Sequence, residues 1–434
     1  MSRPLVVVVG LNRPLLAAID RSGRYDAVLV EEPEVSAAKN APAAIGDFAA
    51  VRTLLTVPYQ QSEELLHDPR VLALRPVAVV PGQEYAVEAA AALAQLRGLP
   101  GAGVAAAGVL RDKIRLRETT AAAGMRAPAW QEVHEAADVA RFVARRGAAV
   151  LKPANRQASV GVRVLQPGDD PAEAWRRCRS AGERGQLADR PMRWRYLVEQ
   201  RLTGAEFSVE SLVSAGTVRF ANVTSKRLLP GRHPVELGHD VPAPADRSVT
   251  AELLVQVARL VDAVGFADGI LHSEWKVDET SGRAQATLVE CAGRTPGDSI
   301  VSLIALAYGF DPYLALVDLL AGTDPRPPTR AGRGAAIRFL PASPGRFLAV
   351  AGVPAALAMP HVVDVTVLAR TGADFTGVTS SWDRVAQVIA VAPDAAAAAT
   401  AATRAVTRLQ VVVDDSAGTG AVHREVTKRD PVAG

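Results

Sequence analysis

Cysteine is nearly missing from this chain: its 434 residues include two, Cys178 and Cys291, far apart in sequence. That excludes a disulfide framework and a cysteine zinc site, and it fits a reducing, cytoplasmic setting. Long apolar runs are missing as well. The longest, such as Leu5–Gly10 and Ala386–Ala392, have the length of strands. They fall well short of the ~20 residues a spanning helix needs, so no membrane contact is expected. The N-terminus lacks the basic region, apolar stretch and cleavage site of a signal peptide. Neither sign of charge dominates. A net charge of +3 with interspersed acids and bases leaves no electrostatic footprint for nucleic acid. Lysine is scarce: six of 49 basic residues, namely Lys39, Lys113, Lys152, Lys226, Lys276 and Lys428. Where arginine supplies general charge, a retained lysine marks a place to look for a compact ammonium.

What is present is hydrophobic mass, 49% of the residues, enough for two or three packed units. Leu5–Gly10 is a β-branched run closed by glycine. The short runs Ala27–Glu31 and Val77–Val80 follow, then an alanine-rich helical stretch from Glu84 to Arg97. Strands alternating with helices predict a parallel, doubly wound sheet in the first hundred residues. After a helix from Arg111 to Ala123 the rhythm changes. Strands are expected at Ala148–Lys152, Val162–Leu165, Tyr196–Glu199, Glu206–Val213, Thr217–Val223, Gly269–Val277 and Ala284–Glu290, with a helix over Ala251–Val264. This reads as an α+β unit. A further mixed unit, Gly334 to Val413, follows the proline-rich link Pro325–Pro328, and the last twenty residues read as a frayed tail.

Six features carry chemistry. Lys152 stands at a strand end before Asn155–Val162 (NRQASVGV), where Ser159 and Gly161 let backbone N–H groups approach phosphate oxygens. Lys113 opens a helix and also suits a phosphate. Lys226 is assigned to the nucleotide with them. The segment Leu197–Glu206 reads as strand, turn, strand; adenine can lie on Leu202 with its amine near Glu199 and Gln200, and Glu206 can accept ribose hydroxyls. Glu274 and Glu290 lie on successive strands, where two close carboxylates call for a cation between them. Oxygen ligands suit Mg²⁺. Arg294, four residues on, can reach a transferring phosphoryl group. Taken singly, each has an ordinary reading as a solvated charge or a plain hairpin; their order is the signal.

That order resembles the ATP-grasp superfamily, and within it the carboxylate–amine ligases that include bacterial L-amino-acid (dipeptide) ligases. Gln83–Gly101, ending LRGLPG, resembles the close of the family's N-terminal domain. Lys113 and Lys152 resemble its two nucleotide lysines, and Asn155–Val162 its phosphate loop. Glu199–Glu206 resembles its hinge, and Glu274 and Glu290 its metal ligands. Arg294 resembles the arginine of the acyl-phosphate step, Glu236-Leu237-Gly238-His239 with Pro242 a signature near the carboxylate substrate, and Ala336–Gly345 the start of its C-terminal region. The resemblance implies α/β and α+β architecture: an ATP-grasp fold behind a Rossmann-like domain. It implies a pre-ATP-grasp domain at 1–103, an A subdomain at 104–190, a B subdomain with the metal site at 191–330, a C-terminal region at 331–415 and a flexible tail at 416–434.

The implied reaction activates a carboxylate with ATP and Mg²⁺ (or Mn²⁺) as an acyl phosphate and joins it to an amine, releasing ADP. The partners implied are small amino-acid or carboxylate and amine substrates, with a homodimer as one possible state. Pro234, Gly238 and Pro242 mark a loop, from which Glu236 and His239 are expected to recognise the amino group of the activated substrate. Many relatives carry asparagine two residues after the second metal glutamate, where this chain has Ala292. Cys291 is read as a small buried strand residue, not a nucleophile. A carboxylase-type ATP-grasp enzyme and a non-catalytic ATP-binding protein remain as alternatives.

Overall fold

The computed structural model describes residues 3–183, 185–231 and 233–414, so the tail expected at 416–434 lies outside the described residues. The first sheet is built from β1 (Leu5–Val9), β2 (Asp26–Glu31), β3 (Val51–Thr56) and β4 (Ala78–Pro81), all parallel, in the order β3-β2-β1-β4. Near-continuous valine makes β1 buried on both faces, as a parallel strand covered by helices must be. The helix Arg13–Ser22 is capped by Asn12, whose side chain accepts from Leu15 N at 3.0 Å. Gly82 lets β1 and β4 converge, because a Cβ there would stand 2.0 Å from the Gly10 carbonyl oxygen.

A second sheet contains β5 (Trp130–Glu132), β6 (Ala149–Pro153), β7 (Arg163–Leu165) and β8 (Tyr196–Gln200), ordered β5-β8-β6-β7 and antiparallel. The remaining strands are β9 (Ala205–Ser214), β10 (Thr217–Leu228), β11 (Glu236–Val241), β12 (Gly269–Asp278), β13 (Gln285–Ala292), β14 (Gly334–Pro341), β15 (Gly345–Ala351), β16 (Val362–Val367), β17 (Asp374–Phe375), β18 (Arg384–Ala392) and β19 (Gln410–Asp414). Eight of them form one antiparallel sheet, β13-β12-β9-β10-β11-β14-β18-β16, which runs across residue 331 without a break. The other three form the small sheet β17-β15-β19.

The helix Arg247–Val264 packs Leu253, Val257, Leu260 and Val261 against Phe207, Val209, Trp275 and Leu288 of the large sheet. The alanine-rich helix Ala395–Val406 covers β14 and β18 closely, its buried face being Ala398, Ala402 and Ala405. Helices Ile300–Tyr308 and Pro312–Leu320 are apolar, bent by 97° and buried in the core beneath β1. No single helix among the described residues is long and apolar enough to cross a membrane.

One expectation is corrected here. Glu236–Val241 is not a loop but β11, hydrogen-bonded to β10 and β14. Gly238 is there for proximity: a Cβ would stand 2.6 Å from the Ile337 carbonyl oxygen and 2.8 Å from the Arg338 side chain. Strands β3, β5, β14, β15, β16 and β17 were not read individually from sequence; β3, β5 and β16 are only partly buried, which blurs their alternation.

Candidate active site

A cavity of about 740 Å³ is bordered by the antiparallel sheet of β5 to β8, the eight-stranded sheet and the loops after β1 and β4. Every candidate binding or catalytic residue read from sequence lines it except Gly161, which holds a turn between β6 and β7. Gly161 adopts φ +77°, where a Cβ would press on the Cys178 carbonyl oxygen at 2.8 Å.

Lys152 is buried on β6, and its ammonium contacts the Glu199 carboxylate on neighbouring β8. Glu199 also accepts from Arg117 Nε at 3.1 Å and Nη2 at 2.9 Å. Burial opposes the Glu199 charge, yet Arg117 and Lys152 hold its pKa below the usual carboxylate value. Burial, partly offset by Glu199, lowers the pKa of Lys152. The Glu199 side chain is therefore committed to cations. Lys113 opens the helix Lys113–Ala122, capped by Asp112. Its Nζ donates to the Arg156 carbonyl at 3.0 Å and pairs with Glu290 at 3.1 Å. Ala158 and Ser159 hold positive φ in the loop between β6 and β7, turning its backbone toward the cavity.

Glu274 and Glu290 are direct partners across β12 and β13. Burial opposes the Glu290 charge, but Lys113 and then Lys152 hold its pKa well below the usual range. Among the described residues no group of three or more His, Cys, Asp or Glu side chains converges on a metal position. Two facing carboxylates are nevertheless a fitting set for Mg²⁺, which accepts one or two carboxylates, keeps waters and shares substrate phosphates.

Around this pair lie His272, which the sequence did not announce, and Lys226, which it did. His272 sits opposite Glu210 in the β12–β9 register and bonds it at 3.0 Å, while its other nitrogen reaches Glu274 at 3.2 Å. Despite burial, Glu210 and Glu274 push its pKa up to about 9. It also faces Ala292 across β13. Its position two residues before Glu274, on the same strand face, was the available signal. Lys226 is buried and touches Glu274 at 2.7 Å, Glu206 at 3.1 Å and Glu236 at 3.2 Å. Burial would discharge it; Glu274, Glu206 and Glu236 instead hold its pKa well above the usual lysine value.

Arg294 is fixed by Glu84, which it meets at 2.7 Å and which also pairs with buried Arg111. Glu236 accepts from Ser381 Oγ at 2.9 Å. His239 Nε2 lies 3.2 Å from Asp298, and Asp298 is forked by Arg384 at 2.5 and 2.7 Å. The Arg384 guanidinium rests 3.9 Å over Phe339. Glu84, Asp298 and Arg384 had no sequence signal: Glu84 meets Arg294 across 210 positions, and Asp298 meets Arg384 across 86.

A model described as ATP-grasp domain matches residues 146–302, and one described as L-amino acid ligase C-terminal domain 2 matches residues 338–414. An uncharacterized protein, y4rH, of Sinorhizobium fredii is 28% identical over 309 residues, 68% of this chain but 59% of the relative, so the match leaves much of that protein unpaired. The L-amino acid ligase of Bacillus licheniformis superposes with a TM-score of 0.77 at 18% identity, covering 96% of this chain and all of its own. The biotin carboxylase domain of a Hydrogenobacter thermophilus 2-oxoglutarate carboxylase, solved as a dimer with MgADP, ADP and bicarbonate, gives 0.65 at 14% identity. That match covers 94% of this chain and 90% of that one. Both likenesses describe the fold.

Proposed function

For a chain with the ATP-grasp fold that carries an L-amino acid ligase C-terminal domain, we propose the chemistry of an ADP-forming carboxylate–amine ligase acting on an amino acid. The observation that carries this reading is one cavity lined by Lys113, Lys152 and Arg294 together with the facing pair Glu274 and Glu290. A loose phosphoryl transition state needs this density of fixed charge. ATP lies with its adenine between Leu202 and the hinge, its ribose at Glu206 and its phosphates against Lys113, Lys152 and the loop at Ser159. The substrate carboxylate attacks the γ-phosphorus, ADP leaves, and an amine then displaces phosphate from the acyl phosphate. Mg²⁺ held at Glu274 and Glu290 supplies charge neutralisation at the phosphates when bound. Arg294, held in aim by Glu84, steadies the transferring group. No step needs a nucleophilic thiol, and burial together with the charges of Glu84 and Glu290 raises the Cys291 pKa well above its ordinary value.

The test is product analysis. Amino-acid pairs are screened for phosphate release, with mass spectrometry of the product and chromatography of the nucleotide. ADP is expected in one-to-one ratio with an amide; AMP would eliminate the acyl-phosphate route. Because a biotin carboxylase shares the fold, bicarbonate is included as a competing substrate, and carboxylation in place of amide formation would reassign the branch.

Glu236 and His239 are read as the contacts of the activated substrate's amino group. Glu236 shares Lys226 with two other carboxylates, which leaves it able to take a second cation. Glu236→Ala is expected to raise KM for one amino acid by about 10-fold or more, the value of one charge-assisted hydrogen bond, with KM for ATP nearly unchanged. Equal turnover of the des-amino acid by the parent would remove this assignment.

A further inference from the structure

Lys39 is one of the six lysines, and the chemistry above does not use it. It follows the helix Pro33–Ala38 in the N-terminal domain. Its side chain borders both the 740 Å³ cavity and a second, more open cavity of about 900 Å³ on the outer side of the same wall. The two spaces share Leu11, Asn12, Lys39, Pro296, Gly297 and Asp298.

The partners of these groups are mostly committed. The Asn12 amide serves Leu15 N and the Gly82 carbonyl, and Asp298 is held by Arg384 and His239. Lys39 differs. Its Nζ donates to the neutral Gln186 Oε1 at 2.8 Å, and no carboxylate among the described residues forms an ion pair with it. The charge of Glu31 on β2 acts on it, but the Glu31 oxygens accept from Leu11 N at 2.7 Å, Tyr59 Oη at 2.6 Å and Glu32 N at 2.9 Å. Burial, offset in part by Glu31, lowers the Lys39 pKa. The result is a half-buried ammonium with a neutral partner, in a wall between two cavities, which calls for an anion.

The phosphate-side groups Lys113, Lys152, Glu274, Glu290 and Arg294 border the inner cavity and not the outer one. Lys39, unlike them, also borders the outer cavity, and its anion is assigned apart from the nucleotide phosphates. In a ligase the donor's carboxylate is consumed on phosphorylation, and the acceptor alone keeps a free carboxylate. Resting on the ligase reading above, we propose that Lys39 binds the carboxylate of the acceptor amino acid, admitted through the outer cavity, and turns its amine toward the acyl phosphate. The neutral amine attacks the acyl carbon. The C–N bond forms, the C–O bond to phosphate breaks with its electron pair on phosphate, and the surplus amine proton passes to phosphate or water.

Lys39→Met keeps the stem and removes the charge. With an active pair from the phosphate-release screen, KM for the acceptor should rise about 10–100-fold, as expected for a charge-assisted hydrogen bond, and KM for ATP should stay put. The parent should prefer the acceptor over its carboxamide, and the variant should not. A second arm reads binding alone: calorimetry of the twenty common L-amino acids with AMP-PNP and Mg²⁺ present, for parent and variant. Unchanged acceptor KM and unchanged acid-to-amide preference would overturn the proposal, as would a parent that binds no amino acid. If no pair is ligated, yet an amino acid binds the parent at least tenfold more tightly than Lys39→Met, the carboxylate site at Lys39 stands and the ligase reading falls.

Discussion

Lys152→Ala is expected to lower kcat/KM by about 10²–10³-fold, the usual loss for one charge-stabilising donor, in a protein that stays folded. The fold is expected to survive because Glu199 would not be left alone. Arg117 still reaches it from two nitrogens, and Arg117 is itself anchored to the Val289 carbonyl at 2.7 Å. Removing one partner of an isolated buried pair typically costs about 3–5 kcal/mol; a triad that keeps its bidentate arm should lose less. Lys152→Arg should not restore activity, since a planar fork does not fit the buried space of a compact ammonium. Steady-state kinetics together with thermal melts decide the matter. Near-parental turnover in the alanine variant would remove Lys152 from the phosphate clamp.

Glu290→Gln is expected to shift magnesium activation to concentrations more than about 10-fold higher, because even groups that merely support a ligand typically cost about 10–100-fold. Its companion Glu274→Gln serves as a contrast. The Glu290 side chain is 40% exposed and, among the described residues, pairs with Lys113, whereas that of Glu274 is 14% exposed and pairs with both Lys226 and His272. Both variants should weaken the metal response, but Glu274→Gln should lower Tm further, because it strips a carboxylate from two buried cations. A magnesium titration of Glu290→Gln that overlays the parent would make the pair a structural feature of the hairpin.

The parts of this protein that were legible in sequence are those whose cause is local. The valine run of β1, the capped helix after it and the lysine at the end of β6 each carry their reason within a few residues. The glutamate pair was legible too, because one hairpin brings Glu274 opposite Glu290. The groups that aim those residues were not. Glu84 finds Arg294 across 210 positions, and Asp298 finds Arg384 across 86. Neither separation leaves a period or a spacing to read. The misreading of β11 has the same origin. Proline and glycine usually punctuate, but Gly238 answers to the backbone of β14, a hundred residues on.

Lys226 stands where three proposed ligand positions come together: Glu206 for the ribose, Glu236 for the amino acid and Glu274 for the metal. One ammonium cannot balance all three carboxylates at full strength. A ligand that engages any one of them redistributes the charge felt by the other two. The three affinities then cease to be separate constants and become terms of a single thermodynamic linkage. By reciprocity, whatever factor bound nucleotide imposes on amino-acid affinity, the amino acid imposes on the nucleotide. A dissociation constant measured with one ligand alone therefore describes a cavity with a different internal balance from the one that turns over.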